Sequence, residues 1–316
     1  MSFFKNNNIF ILTIIFICIC AISPLKKAFA TLDPPEDCAG TPIGCEVGLH
    51  VVNQLEAIDN ANGIALKDNL AYVADEKTLQ IVDISNASAP KIVNYLDTGI
   101  DYTQDLVLHD NYAYVVDNNG FQVIDISNVF VPKKVNNIDI SNNAQKIIIQ
   151  DNYAYLADWD NGLQVLDISN ASTPKKIGNV STPDRVQDVS IQNDKVYLAS
   201  STGGLRVIDV STPSTPEEIG YLNASNVSFV EIALQGNYAY VANDHASMQV
   251  ININDPSSPQ KVGSVDTGYL APEDIVLEQN YAYVSGGLYT DVSSGLQVFD
   301  ISSPSSPVKV GGVTAG

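Results

Sequence analysis

The stretch NYAYLAD, residues Asn152–Asp158, holds two tyrosines, a leucine and two alanines without helical spacing of its apolar positions. Near copies stand at Asn69–Asp75 (NLAYVAD), Asn111–Asp117 (NYAYVVD), Asn237–Asn243 (NYAYVAN) and Asn280–Ser285 (NYAYVS). A sixth, more divergent copy surrounds Tyr197. The second aromatic therefore falls at Tyr72, Tyr114, Tyr155, Tyr197, Tyr240 and Tyr283, at intervals of 42, 41, 42, 43 and 43 residues. Six copies at that period are the mark of a tandem-repeat architecture.

Each unit continues in one order, as in the third. QKIIIQ (Gln145–Gln150) precedes the tyrosine phrase, LQVLDIS (Leu163–Ser169) follows it, and KKIGNV (Lys175–Val180) closes the unit. Val, Ile, Leu and Tyr fill these runs, and Asn, Gly, Ser and Pro separate them, so four short strands per unit are expected. Four strands in about 42 residues is the arithmetic of a propeller blade. The fold class read from the chain is all-β, a six-bladed β-propeller of four-stranded antiparallel blades.

A blade sandwiched between two neighbours has its middle strands covered on both faces, so those strands need no polar alternation. One binding site needs an aromatic once, whereas six interfaces need it six times. The tyrosines are therefore expected in the core. The same logic makes the third-strand residues Asp83, Asp125, Asp167, Asp209 and Asp300, with Asn252 in the fifth unit, holders of the following turn. Pro90, Pro132, Pro174, Pro216, Pro259 and Pro307 then lead into the outer strand, an edge that tolerates a missing N–H.

The sequence of LQVLDIS-type strand, proline-containing turn and NYAYVAD-type strand resembles the LVIVP-repeat family over residues 50–316. That resemblance implies a propeller with an extracytoplasmic role in adhesion or recognition. It implies no catalytic residues, because the shared motif is the blade itself.

Residues 1–30 read as a secretory signal peptide. Lys5 precedes an apolar run from Ile9 to Ile22, shorter than the roughly 20 residues that span a bilayer, and Ala28-Phe29-Ala30 offers small residues for cleavage. No transmembrane segment is expected once it is removed, and the product is expected to be a secreted, periplasmic or cell-surface monomer. Residues 31–48 read as a linker in which Cys38 and Cys45 form a disulfide, and residues 49–316 as the propeller. Either Leu49–Ala57 or the segment from Val308 is expected to supply the last outer strand.

The chain's formal charge is −20, with 36 acidic against 16 basic residues, which argues against nucleic acid as a partner. Loops between second and third strands, and between outer and inner strands, vary from unit to unit and share one face, where a specific site is expected. They supply Trp159, Tyr102, Tyr269, Tyr289, Arg185 and His245, a set suited to binding a protein or a carbohydrate. Asp105, Asp188, Glu231 and Asp274 recur at the start of inner strands, where Gly63 and Lys146 stand in the other two units. Convergent carboxylates there are a candidate Ca²⁺ site at the mouth of a central channel.

Catalysis has little support. His50, His109 and His245 occupy unrelated parts of the unit, and no H-E-x-x-H or G-x-S-x-G motif is present. The expected function is a non-enzymatic exported propeller binding protein or glycan, with a calcium-dependent hydrolase as the alternative.

Overall fold

The computed structural model describes residues 16–17, 27–33, 48–55 and 61–315, apart from 76, 87, 100–102, 118–119, 140–142, 225, 269–270 and 289–290. Three strands come first: β1 (Phe16–Ile17), β2 (Lys27–Asp33) and β3 (Gly48–Leu55), an antiparallel sheet in the order β1-β2-β3. Six four-stranded antiparallel sheets follow, and each runs inner to outer in chain order. Blade 1 is β4 (Ala61–Lys67), β5 (Leu70–Asp75), β6 (Thr78–Asp83) and β7 (Lys91–Asp97). Blade 2 is β8 (Thr103–His109), β9 (Tyr112–Asp117), β10 (Gly120–Asp125) and β11 (Lys133–Ile138). Blade 3 is β12 (Ala144–Gln150), β13 (Tyr153–Asp158), β14 (Gly162–Asp167) and β15 (Lys175–Val180).

Blade 4 is β16 (Asp188–Gln192), β17 (Lys195–Ser200), β18 (Gly204–Asp209) and β19 (Glu217–Leu222). Blade 5 is β20 (Phe229–Gln235), β21 (Tyr238–Asn243), β22 (Ser247–Asn252) and β23 (Gln260–Asp266). Blade 6 is β24 (Ala271–Glu278), β25 (Tyr281–Leu288), β26 (Asp291–Asp300) and β27 (Val308–Ala315). The protein is an all-β six-bladed propeller. Val308–Ala315 supplies the last outer strand by pairing with β26, whereas Gly48–Leu55 pairs with β2 and lies against β27. Cys38 and Cys45 lie outside the described residues, and no helix among those described is long and apolar enough to cross a membrane.

The repeated tyrosine is a wedge between blades. Tyr155 is 2% exposed and packs with Ala157, Leu163 and Val165 of its own blade against Val189, Val196, Leu198 and Ile208 of blade 4. Tyr72, Tyr114, Tyr197 and Tyr240 make the same step onto blades 2, 3, 5 and 6. The third-strand carboxylates hold their turns as the sequence suggests. Asp83, Asp125, Asp167, Asp209 and Asp300 accept the N–H of Ser85, Ser127, Ser169, Ser211 and Ser302 at 2.8–2.9 Å, and Asn252 accepts that of Asn254.

At the rim, the outer strand of one blade crosses the turn of the next, and residue choice follows from that approach. A Cβ on Gly178, Gly220 or Gly263 would meet the carbonyl oxygen of Pro213, Pro256 or Pro304 at 2.6, 2.1 or 2.3 Å. Where the neighbouring turn lacks that proline, asparagine stands instead: Asn94 donates to the Val129 carbonyl at 2.9 Å and Asn136 to that of Ser172 at 2.5 Å. A Gly220→Ala variant is therefore expected to lose roughly 1–3 kcal/mol, the usual penalty of overpacking, measured by denaturant unfolding. An unchanged midpoint would mean that the rim contact is loose.

Candidate functional site

The start of each inner strand is irregular, and the irregularity recurs at one place in the period. In blades 1, 2, 3, 5 and 6 a bulge falls between Ala61 and Gly63, Thr103 and Asp105, Ala144 and Lys146, Phe229 and Glu231, and Pro272 and Asp274. In blade 4 the Gln187 N–H reaches the Ala199 carbonyl at 2.9 Å, although Asp188 already pairs with Ala199. Bulges re-aim side chains. Here they bring Lys146 among Glu231, Asp105, Asp188 and Asp274, residues that are far apart in the chain.

Lys146 Nζ lies 3.6 Å from Glu231 Oε2. Burial works against the ammonium, but Glu231, Asp105, Asp188 and Asp274 together outweigh it and hold its pKa well above that of an ordinary lysine. The acids move the same way for the opposite reason. Burial raises the Asp105 carboxyl to about 6 against the pull of Lys146, and it raises Asp188 and Glu231 as well.

Two of these carboxylates also clamp neighbouring blades. Asp105 Oδ2 accepts the Ile147 N–H at 3.0 Å, and Asp188 Oδ2 accepts that of Ile232 at 2.7 Å. Lysine at 146 accepts nothing, and in the next blade the Val189 N–H turns to its own Asp188 Oδ1 at 2.7 Å. Gly63 fills the position in blade 1 because a Cβ there would stand 2.8 Å from the Leu106 nitrogen.

The Lys146 ammonium stands among Asp105, Asp188, Glu231 and Asp274, the four carboxylates expected to hold calcium. The chain supplies its own cation, and among the described residues no group of three or more His, Cys, Asp or Glu side chains is positioned to hold a metal ion. Calcium titration of the protein is expected to give no heat and no rise in melting temperature. A saturable signal would mean that the ammonium yields its position.

A pH dependence follows. A buried carboxyl with a raised pKa contributes fully below the unfolded value, near 4, and that contribution is lost as pH rises through the folded value, about 6 for Asp105. Asp125, Asp167 and Asp209 run oppositely. Hydrogen bonds from Ser127, Ser169 and Ser211 lower their pKa, so their contribution is present above about pH 4 and lost below it. Melting temperature is expected to peak near pH ~5 and to fall toward pH ~7.5. A steady rise from 5 to 8 would contradict the cluster.

On the loop face the structure brings Trp159 and Arg185 together. Arg185 Cζ sits 5.2 Å from the Trp159 ring centroid, and its Nε is 3.9 Å from Asp160 Oδ1. The backbone of Trp159 ties two loops, donating to the Asn143 carbonyl and accepting the Val186 N–H, each at 3.1 Å. Asp184 fixes the Arg185 loop. Its Oδ1 accepts the Arg185 N–H at 2.8 Å, its Oδ2 accepts the Thr202 hydroxyl, and its carbonyl accepts the Ser200 and Thr182 hydroxyls at 3.0 and 2.7 Å.

The stack is thus preorganised by side chains that sequence reading passed over: Asp160, Asp184 and Thr202. Their only sequence signal is membership of the variable loops. His245 is held elsewhere, by Asp244 at 2.7 Å, while Asp244 also accepts the Ser228 N–H. Tyr102, Tyr269 and Tyr289 lie outside the described residues.

A family model described as LVIVD repeat matches residues 59–98, 101–140, 141–182, 184–224, 230–267 and 272–315, one match per blade. No curated protein sequence matches the chain. Among solved structures, a periplasmic gluconolactonase of Pseudomonas aeruginosa is similar at TM-score 0.75 and 11% identity, over 95% of this chain and 98% of that one. A hypothetical selenium-binding protein of Sulfolobus tokodaii is similar at TM-score 0.72 and 11% identity, over 93% and 88% of the two chains. A protein from Lactobacillus plantarum is similar at 0.70 and 14%, over 85% and 92%. At these identities the likeness is one of fold.

Proposed function

Because the chain belongs to the LVIVD-repeat family, whose recurrent residues build blades, we propose that its function lies in what does not recur: it is an exported, non-enzymatic binding module whose loop face takes a protein or carbohydrate partner. The observation that carries this reading is the Trp159–Arg185 stack, held in place by Asp184 and Thr202 and flanked by Asp160. A fixed aromatic face beside a guanidinium and a carboxylate offers stacking, donors and an acceptor within one small area. Tyr102, Tyr269, Tyr289 and His245 stand in loops of the same variable class in the sequence and are proposed as further partner contacts.

Trp159 is the chain's single tryptophan, so its fluorescence reports on this site alone. Titration with a saccharide panel, together with pull-down from envelope extract, is expected to find a partner that alters the emission. An Arg185→Ala variant should bind that partner at least 10-fold more weakly, with an unchanged melting temperature. Full binding by that variant would remove the site from the account.

A second reading rests on the channel. A carboxyl held near 6 at Asp105, beside raised Asp188 and Glu231, has the protonation range of a general acid, which suits a hydrolase. The similar gluconolactonase fits that reading by fold alone. Turnover abolished by Asp105→Asn, with Arg185→Ala fully active, would favour it.

A further inference from the structure

We propose that the segment before the blades, β2 and β3, forms a seventh sector wedged between blade 6 and blade 1, so that these two blades do not pack on each other. Four observations point there. First, β3 lies against β27, the rim strand of blade 6. With β3 at the rim, the order β1-β2-β3 makes β1 the opposite edge of this sheet.

Second, the faces that blades 6 and 1 would share are buried, and no cluster among the described residues joins the two blades. Ala71, Val73, Val82 and Ile84 of blade 1 are 0–6% exposed, yet among the described residues they cluster only with their own blade. Leu296 and Val298 of blade 6 are 5% and 0% exposed and, among the described residues, join no cluster with blade 1. At the other five junctions, residues of both blades mix in one cluster. The inner strands likewise touch in the succession β4, β8, β12, β16, β20, β24, with no comparable step from β24 back to β4 among the described residues.

Third, the rim rule breaks at this junction alone. Glycine meets a proline-bearing turn and asparagine meets one without it. Blade 1 offers Ala87 at that turn position, so asparagine is expected at 311 if blade 1 is the neighbour, and the chain has Gly311. Fourth, Ala61–Ala315 makes up about four-fifths of the chain, whereas the similar gluconolactonase covers 95% of it, so that likeness takes in much of the segment before the blades. Removal of a leader ending at Ala30 leaves β3 its partners Thr31, Leu32 and Asp33, paired with His50, Leu49 and Gly48.

Hydrogen exchange on the intact chain tests this. Amides of Gly48–Leu55 are expected to be protected to the degree of the blade strands, and exchange at the rate of free chain would overturn the proposal. In a Leu49→Pro/His50→Pro variant, which removes a ladder donor because adjacent residues of a strand point their N–H groups to opposite sides, exchange is expected to accelerate at least 10-fold in β5, β6, β25 and β26 while blades 3 and 4 stay as in the parent. Unchanged exchange in those four strands would mean that blades 6 and 1 cover each other directly.

Discussion

Lys146→Met is expected to unfold on the order of 10 °C below the parent at pH ~7.5 and to recover most of that loss at pH ~5. Methionine keeps the apolar stem and removes the charge. Glu231, 6% exposed, Asp188, 7% exposed, and Asp105 and Asp274 are then left facing one another without their cation. Removing one partner of a buried ionic cluster costs about 3–5 kcal/mol, because the remaining charges stay desolvated. Acid reverses the loss by protonating carboxyls that burial has already raised, Asp105 to about 6 with Lys146 present. A variant with equal losses at both pH values would show that Lys146 contributes packing and not charge.

Tyr155→Ala is the second large effect. The ring fills the wedge between blades 3 and 4, and truncating a buried aromatic costs about 3–5 kcal/mol through lost transfer energy and the cavity left behind. In a repeat array, stability is local to each unit and its interfaces, so faster hydrogen exchange is expected first in β13, β14, β16 and β17. Tyr155→Phe keeps the ring and should retain most of the stability. Equal losses for alanine and phenylalanine would mean that the hydroxyl, and not the wedge, is what the position needs.

The blades were legible because their causes are local and repeated. A two-sided apolar strand, an Asx turn and a proline before the edge strand each leave a mark within ten residues, and six copies lift it above chance. The position of the channel residues was also legible, since Asp105, Asp188, Glu231 and Asp274 share one place in the period. What they do there was not. Lys146 meets Glu231 across 85 positions of sequence, and the bulges that aim both side chains leave no residue signature. The Trp159–Arg185 stack was half legible. Both residues stand in variable loops, but their meeting depends on Asp184 fixing one loop against Thr202. The last outer strand stayed ambiguous because Leu49–Ala57 has the composition of an outer strand, and only pairing distinguishes it from Val308–Ala315.

Residues that recur in every blade are scaffold, and those peculiar to one loop are not. The most direct measurement is thermal unfolding of seven alanine variants: Tyr72, Tyr114, Tyr155, Tyr197, Tyr240 and Tyr283, one per blade, and Trp159. The expected result is six comparable large losses and a Trp159→Ala variant that melts within about 2 °C of the parent, as surface substitutions do. A thermally silent tyrosine, or a loss at Trp159 equal to theirs, would contradict it.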